Sequence, residues 1–129
     1  QWQILEGKNK IKISLIEALE KVDSGDIILQ NTINFDGSEL YDEIRSKQAQ
    51  ATLSLIREFI NIYPNFKRVK QEGESTYYRQ RTSKDDEIDI NKSIKENFNL
   101  LRIGNNNNWP NFFIYKGKKY YIKIYKTLE

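Results

Sequence analysis

The residues that could do chemistry in this chain are limited by what its 129 residues lack: there is no histidine, no cysteine and no methionine. Imidazole and thiol groups are common general bases, nucleophiles and zinc ligands. Without them, any chemistry rests on carboxylates, lysine, arginine, tyrosine or serine. The composition thus excludes thiol catalysis, disulfides and the usual zinc sites. It favours a binding protein over an enzyme, and we predict no catalytic residue, no metal ligand and no cofactor.

One carboxylate with a nearby lysine lies in Ile4-Leu5-Glu6-Gly7-Lys8. This pattern resembles the core of metal-dependent nucleases of the restriction-endonuclease type. The resemblance implies that Glu6 holds Mg²⁺ and that Lys8 steadies the attacking water. Only five residues precede Glu6, however, so the upstream acidic residue of that family has no counterpart. A histidine-free nuclease is therefore the third of three functional hypotheses.

A cluster of acidic residues occupies Asp85-Asp86-Glu87-Ile88-Asp89. Carboxylate oxygens are suitable ligands for Mg²⁺ or Ca²⁺, but the segment lacks the glycine-turned spacing of a calcium-binding loop. Acidic residues are also favourable before the N-terminus of a helix. We interpret the segment as a solvated linker.

The charges are segregated along the chain, although the formal net charge is only +3. Between residues 17 and 43 there are eight acidic residues and one basic residue, Lys21. Basic residues predominate in 67–84 and 116–126. Segregation of this kind creates local potentials that the net charge hides. The acidic half suits a basic protein partner, so an interaction domain of the immunity or inhibitor type is the second hypothesis.

Capping residues, apolar runs and hydrophobic periods predict the secondary structure of the first 82 residues. Ser14 and Glu17 have the spacing of a capping box, which predicts a helix over 15–22. An apolar run predicts a short strand at 27–29, and a helical period extends from about residue 38 to Pro64 as one or two helices. A hairpin is then predicted over 66–81, with glycine in its turn. This order of elements resembles a winged-helix domain, in which the third helix enters the major groove of DNA.

In that resemblance the recognition helix is 50–62, and its apolar side, Leu53, Ile56 and Ile60, belongs to the core. Its outward stripe consists of polar residues of types that reach base edges. The stripe is formed by Gln50, Ser54, Arg57 and Asn61. The hairpin would supply phosphate contacts through its basic residues. These are Lys67, Arg68, Lys70, Arg79 and Arg81.

The last third of the chain predicts a helix over 91–103, stopped by Gly104, and a hairpin over 112–125 with its turn at Lys116-Gly117-Lys118. Alternation places Tyr121, Lys123 and Tyr125 on one face of its second strand. Aromatic rings interleaved with a cation can stack bases and bind phosphates. Burial of the tyrosines beneath another element is the alternative.

Together these patterns predict an α+β fold: winged-helix-like helices with antiparallel hairpins, and a second helix–hairpin unit at the C-terminus. Residues 1–82 would form the winged-helix-like unit, and 83–129 the helix and hairpin packed on it. The first functional hypothesis is a DNA-binding module with a basic patch, part of a larger nucleic-acid-processing or regulatory protein. Its predicted partner is nucleic acid, duplex DNA above all. No membrane contact is expected, and the predicted location is the cytoplasm.

Overall fold

A computed structural model describes residues 1–127 of the chain, and within them it has three α-helices and two antiparallel β-hairpins. The elements are α1 (Trp2–Leu5), β1 (Lys10–Ile16), β2 (Ile27–Asn34), α2 (Tyr41–Ile62), a 3₁₀ turn (Ser83–Asp86), α3 (Ile94–Ile103), β3 (Asn111–Tyr115) and β4 (Lys118–Ile122). No helix of this described part is long and apolar enough to cross a membrane.

The chain divides into two compact units that alternate along the sequence. Unit 1 contains residues 1–9, 35–45 and the described chain from Tyr78 onward, and unit 2 contains 10–34 and 46–77. Helix α2 contributes its first turn to unit 1 and the rest to unit 2. The predicted boundary between residues 82 and 83 falls inside unit 1 and does not separate the two units.

Unit 2 begins with β1 and β2, which pair as an antiparallel hairpin from Lys10 opposite Asn34 to Ile16 opposite Ile27. Residues 10–16 alternate between polar and apolar side chains, the period of a strand with one face covered. The helix predicted over 15–22 is therefore wrong. The Ser14 hydroxyl accepts a hydrogen bond from Gln30 Nε2 at 2.9 Å across the strand pair, so it caps no helix.

Helix α2 is one continuous element of 22 residues, so the helical period that ends at Pro64 corresponds to one helix and not to two. Its buried side was predicted wrongly. Leu55 is buried, whereas Leu53, Ile56 and Ile60 are 52%, 42% and 66% exposed. The apolar period has two candidate faces, and the packed one is centred on Leu55.

The segment after α2 is not the predicted hairpin, because no strand is assigned among the described residues 66–81. Instead, Val69 forms an antiparallel bridge with Ile27, through hydrogen bonds of 2.7 and 2.9 Å. The start of β2 thus gains a neighbour within unit 2. The winged-helix arrangement lacks both its first helix and its wing.

Unit 1 contains α3, whose end at Ile103 before Gly104 agrees with the predicted stop. The helix starts at Ile94, three residues later than the predicted start at residue 91. Ser93 is its N-cap and forms a reciprocal capping box with Glu96. Inside unit 1, Arg102 is 1% exposed. It donates through Nε to the Glu39 carbonyl oxygen at 3.0 Å and through Nη2 to Glu39 Oε2 at 3.2 Å.

The hairpin of unit 1 lies where it is predicted, but its second strand ends at Ile122 and not at residue 125. Strands β3 and β4 pair antiparallel, with Tyr115 opposite Lys118. Lys116 and Gly117 form the two-residue turn with φ of 50° and 74°. Such turns require positive φ at both central positions, and their twist suits the flanking strands.

Candidate functional site

The loop between β1 and β2 contains a backbone conformation that side chains rarely adopt. Asp23 has φ of 56°, in the left-handed region, where residues other than glycine are uncommon although aspartate is tolerated. Lys116 also has positive φ, but a two-residue hairpin turn accounts for it. Asp23 lies in a longer loop, so its conformation has to be held by other contacts. Strained residues that are held in this way cluster at functional sites.

The contact that holds the loop comes from Gln71. Because Val69 pairs with Ile27 in antiparallel register, the residue two positions further along the chain lies opposite Gly25. Gln71 Nε2 donates to the Asp23 carbonyl oxygen at 2.8 Å and to the Gly25 carbonyl oxygen at 2.7 Å. Both N–H groups of one amide are thus directed at the backbone of one turn.

Close packing fixes the other side of the turn. A side chain at Gly25 would place its Cβ 1.8 Å from the Glu17 carbonyl oxygen, so only glycine fits without movement of the backbone. The Glu17 amide donates to the Asp26 carbonyl oxygen at 3.0 Å and closes the base of the loop. The Ser24 hydroxyl donates to the Lys21 carbonyl oxygen at 2.7 Å.

An ion pair lies at the base of the same loop. Arg68 contacts both carboxylate oxygens of Glu17 at 3.1 to 3.2 Å, and its guanidinium lies 4.9 Å from the centre of the Phe66 ring. Arg68 is therefore engaged within unit 2. Its role here is to attach the 66–71 segment to the loop.

The result is an exposed carboxylate on a backbone that is held by hydrogen bonds and close packing. Asp23 is solvent-exposed, while Gly25, two residues further along the chain, is buried. An exposed carboxylate at a fixed position can pair with an ammonium group, or accept its proton, without reorganisation of the loop.

The residues predicted to contact nucleic acid are distributed over several elements. Gln50, Ser54, Arg57 and Asn61 are exposed along α2, as any solvent-facing side of a helix is. Lys67 and Lys70 are exposed on the 66–71 segment. Their neighbours are less available than the sequence suggested.

Two predicted phosphate-binding arginines are paired with carboxylates inside unit 1. Arg79 contacts Asp85 through both terminal nitrogens, and this bond is the largest cause of the lowered pKa of the Asp85 carboxyl. Arg81 Nη2 lies 2.6 Å from Asp86 Oδ1. These arginines of the basic segment and carboxylates of the acidic linker thus neutralise each other. For this reason the run of basic residues in the sequence overstates the positive potential of this segment.

The predicted stacking face lies only in part on β4, because Tyr121 is in the strand whereas Lys123 and Tyr125 follow its end at Ile122. Tyr121 and Tyr125 are 61% and 78% exposed, so the alternative of burial is wrong for both. Lys123 is also exposed. The Lys119 ammonium lies over the Phe112 ring at 3.6 Å and 5.1 Å from the Tyr121 ring centre, which couples the cation to the hairpin itself.

The nuclease pattern and the acidic cluster do not form a metal centre. Glu6 Oε2 lies 2.7 Å from Lys8 Nζ and accepts a hydrogen bond from the Tyr78 hydroxyl at 2.9 Å. These two bonds lower the pKa of the Glu6 carboxyl, with Lys8 the larger cause. Among the described residues, no group of three or more acidic side chains has the geometry to hold a metal ion.

Sequence reasoning missed the Asp23 turn and its partner. The segment Asp23-Ser24-Gly25-Asp26 follows directly after the helix predicted over 15–22, so its turn residues indicate only the end of that helix. A turn of this composition directly before an apolar strand is the signal that marks a built loop. Gln71 had no signal, because its contact with Asp23 joins residues 48 positions apart.

Sequence comparison relates the chain to one class of enzyme, although no family model matches it. It is 30% identical to a methionyl-tRNA formyltransferase of Bacillus velezensis over 84% of this chain and 35% of that protein. The enzyme of the same name from Mycoplasma capricolum is 29% identical over 79% of this chain and 33% of that protein. The enzyme of the same name from Ehrlichia canis is 28% identical over 98% of this chain and 40% of that protein. The chain thus spans about two fifths or less of these relatives.

Solved structures show the same fold. Methionyl-tRNA formyltransferase from Clostridium thermocellum has a TM-score of 0.76 at 22% identity, covering 98% of this chain and 55% of that one. A 4-N formyltransferase from Francisella tularensis has a TM-score of 0.78 at 24% identity, covering 95% of this chain and 53% of that one. HypX from Aquifex aeolicus, solved in complex with tetrahydrofolic acid, has a TM-score of 0.69 at 17% identity, covering 95% and 22%.

These comparisons overturn the functional prediction. The matched proteins are named formyltransferases, and the solved formyltransferases share the fold over almost the whole chain. The interpretation as a winged-helix, DNA-binding module with duplex DNA as partner is therefore wrong. The two alternatives, an interaction domain using residues 17–43 and a histidine-free nuclease, receive no support from these relatives.

Proposed function

We propose that this chain is part of an N-formyltransferase and that it contributes a carboxylate to the acceptor side of the active site. The observation that carries the proposal is the sequence likeness to methionyl-tRNA formyltransferases, which extends over 98% of the chain in the Ehrlichia canis comparison. Because the chain spans only 40% of that relative, the remaining groups of the active site would come from sequence beyond these residues.

Formyl transfer to an amine needs a group that accepts a proton from that amine. A primary amine is mostly protonated at neutral pH, and it must lose a proton before its lone pair can attack a formyl carbon. Because these 129 residues include no histidine, the proton acceptor that this chain can contribute is a carboxylate. We assign this role to Asp23, because its carboxylate is exposed and its backbone is held in the left-handed conformation.

The formyl donor of such enzymes is a folate, and the HypX structure was solved with tetrahydrofolic acid. The cavities of unit 1 include three with volumes of about 180, about 280 and about 460 Å³. The third, lined by residues 87–91 and Ile114, exceeds the roughly 300 Å³ at which sites for molecules of that size begin. Volume alone does not assign a folate to any of them, and we assign no step to the donor.

The test is an assay for formyl transfer by the longest polypeptide that carries this sequence. It is incubated with a formyl-tetrahydrofolate donor and, in separate reactions, with methionyl-tRNA or with nucleotide-linked amino sugars. Mass spectrometry should detect an acceptor heavier by one formyl group in place of one hydrogen. Duplex DNA and heparin serve as binding controls.

The acceptor that becomes formylated distinguishes between two classes of substrate. Formylated methionyl-tRNA would agree with the curated relatives, and a formylated amino sugar with the enzyme from Francisella tularensis. Absence of product with every acceptor, from a folded protein that binds formyl-tetrahydrofolate, would contradict the proposal. The cytoplasmic location remains a prediction.

A further inference from the structure

We propose that Gln71 is a positioning residue that sets the direction of the Asp23 carboxylate, an inference that rests on the proposed role of Asp23 as proton acceptor. Gln71 does not touch the reacting atoms in this account. It acts through the backbone of the turn, where its side-chain amide bonds the carbonyl groups of Asp23 and Gly25 at 2.8 and 2.7 Å.

The stereochemistry of the amide makes glutamine suited to this place. The –NH₂ group has two N–H donors in one plane, and here one nitrogen serves two carbonyl oxygens that belong to residues two apart. Glutamate has the same shape but presents only acceptors when ionised, so it would face both carbonyl oxygens without a donor. Methionine keeps the length of the side chain and removes its hydrogen bonds.

The turn needs such a contact because its conformation is not the preferred one. The φ of 56° at Asp23 lies in the left-handed region, which is higher in free energy for an L-residue than negative φ. The Glu17–Asp26 hydrogen bond of 3.0 Å closes the loop below the turn, but it leaves the peptide groups of residues 23–25 to be oriented. The Val69–Ile27 bridge places Gln71 next to these peptide groups, so pairing at the start of β2 sets the position of the carboxylate.

The consequence for catalysis follows from the precision that proton transfer requires. A displacement of about 1 Å in a reacting group costs about 100-fold in rate. If the two hydrogen bonds are lost, Asp23 can relax to negative φ, and its Cβ then points elsewhere. The acceptor still binds through the other groups of the site. We therefore expect the loss in kcat, with little change in KM for the amine.

The experiment compares Gln71→Met with a matched control, Gln30→Met. Gln30 also lies in unit 2, is exposed, and has one side-chain hydrogen bond, to Ser14 Oγ at 2.9 Å. In the 129-residue chain, the three-bond HN–Hα coupling and the Cα and Cβ chemical shifts of Asp23 report its φ. In the formylating polypeptide, kcat and KM for the amine are measured for both variants and for Asp23→Asn.

Gln71→Met should shift the Asp23 signals away from positive-φ values and lower kcat by about 100-fold, with KM changed less than about threefold. Gln30→Met should leave both unchanged. Unaltered Asp23 signals in Gln71→Met would overturn the inference whatever the activity. An active Gln71→Met beside an inactive Asp23→Asn would overturn the positioning role alone. Full activity of Asp23→Asn would instead remove the proton-acceptor assignment of the proposed function.

Discussion

In unit 1 and in unit 2, a side chain from far along the sequence holds the backbone of a loop, yet the two places differ in burial and charge. Arg102 donates to the Glu39 carbonyl and carboxylate, 63 residues away, and the side chains of this ion pair are 1% and 3% exposed. Gln71 reaches the Asp23 carbonyl, 48 residues away, in a solvent-exposed setting. The first contact leaves no charge facing solvent, so it can only stabilise the fold. The second leaves a carboxylate exposed, so it can prepare a reactive group.

The comparison also shows how the buried pair is satisfied. Glu39 accepts hydrogen bonds from the amides of Asp36 and Gly37 at 3.0 and 3.1 Å, in addition to those from Arg102. A buried carboxylate is tolerated when its lone pairs are used in this way. Removal of the arginine would take away the guanidinium that lies beside the buried Glu39 carboxylate.

Arg102→Met should therefore produce the largest loss of stability. Breaking a buried pair by removing one partner costs about 3 to 5 kcal/mol, because an uncompensated charge stays in the interior. The free energy of unfolding from urea titration measures it. Glu39→Gln together with Arg102→Met should recover part of the loss, whereas a single-variant loss below about 1 kcal/mol would mean that the pair is accessible to water.

Gly25→Ala, in the Asp23 loop of unit 2, should produce the second largest loss of stability. A Cβ lying 1.8 Å from the Glu17 carbonyl oxygen forces the loop to open, and overpacking of this kind costs about 3 kcal/mol. The matched control is Gly73→Ala, where φ is +102° and no atom lies within 4 Å of the added Cβ. Left-handed strain alone should cost the control about 1 kcal/mol. Equal losses in urea unfolding would contradict the steric argument.

Ser93→Ala sharpens the comparison with a contact that is local in sequence. Loss of an N-cap costs about 1 kcal/mol. The side-chain hydrogen bond with Ser93 is the largest cause of the lowered pKa of the Glu96 carboxyl, so the variant should raise that pKa towards its ordinary value. Because the folded-state pKa is depressed, this contribution to stability is present above the unfolded pKa and is lost as pH falls through the folded pKa. NMR titration of Glu96 and urea unfolding at pH 7 and pH 3 check both effects.

Arg57→Ala should have the smallest effect. Arg57 is an exposed residue of α2, and surface substitutions away from special contacts change stability by less than about 0.5 kcal/mol. Formyl transfer should also be unchanged. A loss of activity greater than about tenfold would bring the stripe of Gln50, Ser54, Arg57 and Asn61 back as a substrate-binding surface.

The contacts that the sequence predicted are those made within a few residues. The stop of α3 at Gly104 and the Lys116-Gly117 turn follow from the preferences of residues at those positions. By contrast, the α2 helix has apolar residues on more than one side, and only tertiary packing selects Leu55. The misassigned helix at 15–22 has the same origin, since the strand pairing of 10–16 outweighs a local capping pattern.

The candidate site was predictable only in part. An aspartate and a glycine in a turn before a strand are visible in the sequence, and the lack of histidine directs attention to carboxylates. The hydrogen bonds from Gln71 depend on the Val69–Ile27 bridge, a pairing of segments that no periodicity reveals. The basic run at 67–81 was overvalued for the same reason, because the carboxylates that pair with Arg68, Arg79 and Arg81 were not assigned to them.

The most direct test of the central claim is the rate of formyl transfer by Asp23→Asn. Asparagine keeps the size of the side chain and tolerates the left-handed conformation, but it cannot accept a proton from an ammonium group. Asp26→Asn is the matched control in the same turn. We predict that Asp23→Asn lowers kcat at pH 7 by at least about 100-fold, the lower end of what general-base catalysis contributes, while Asp26→Asn stays near wild type. An Asp23→Asn rate within about threefold of wild type would contradict the account.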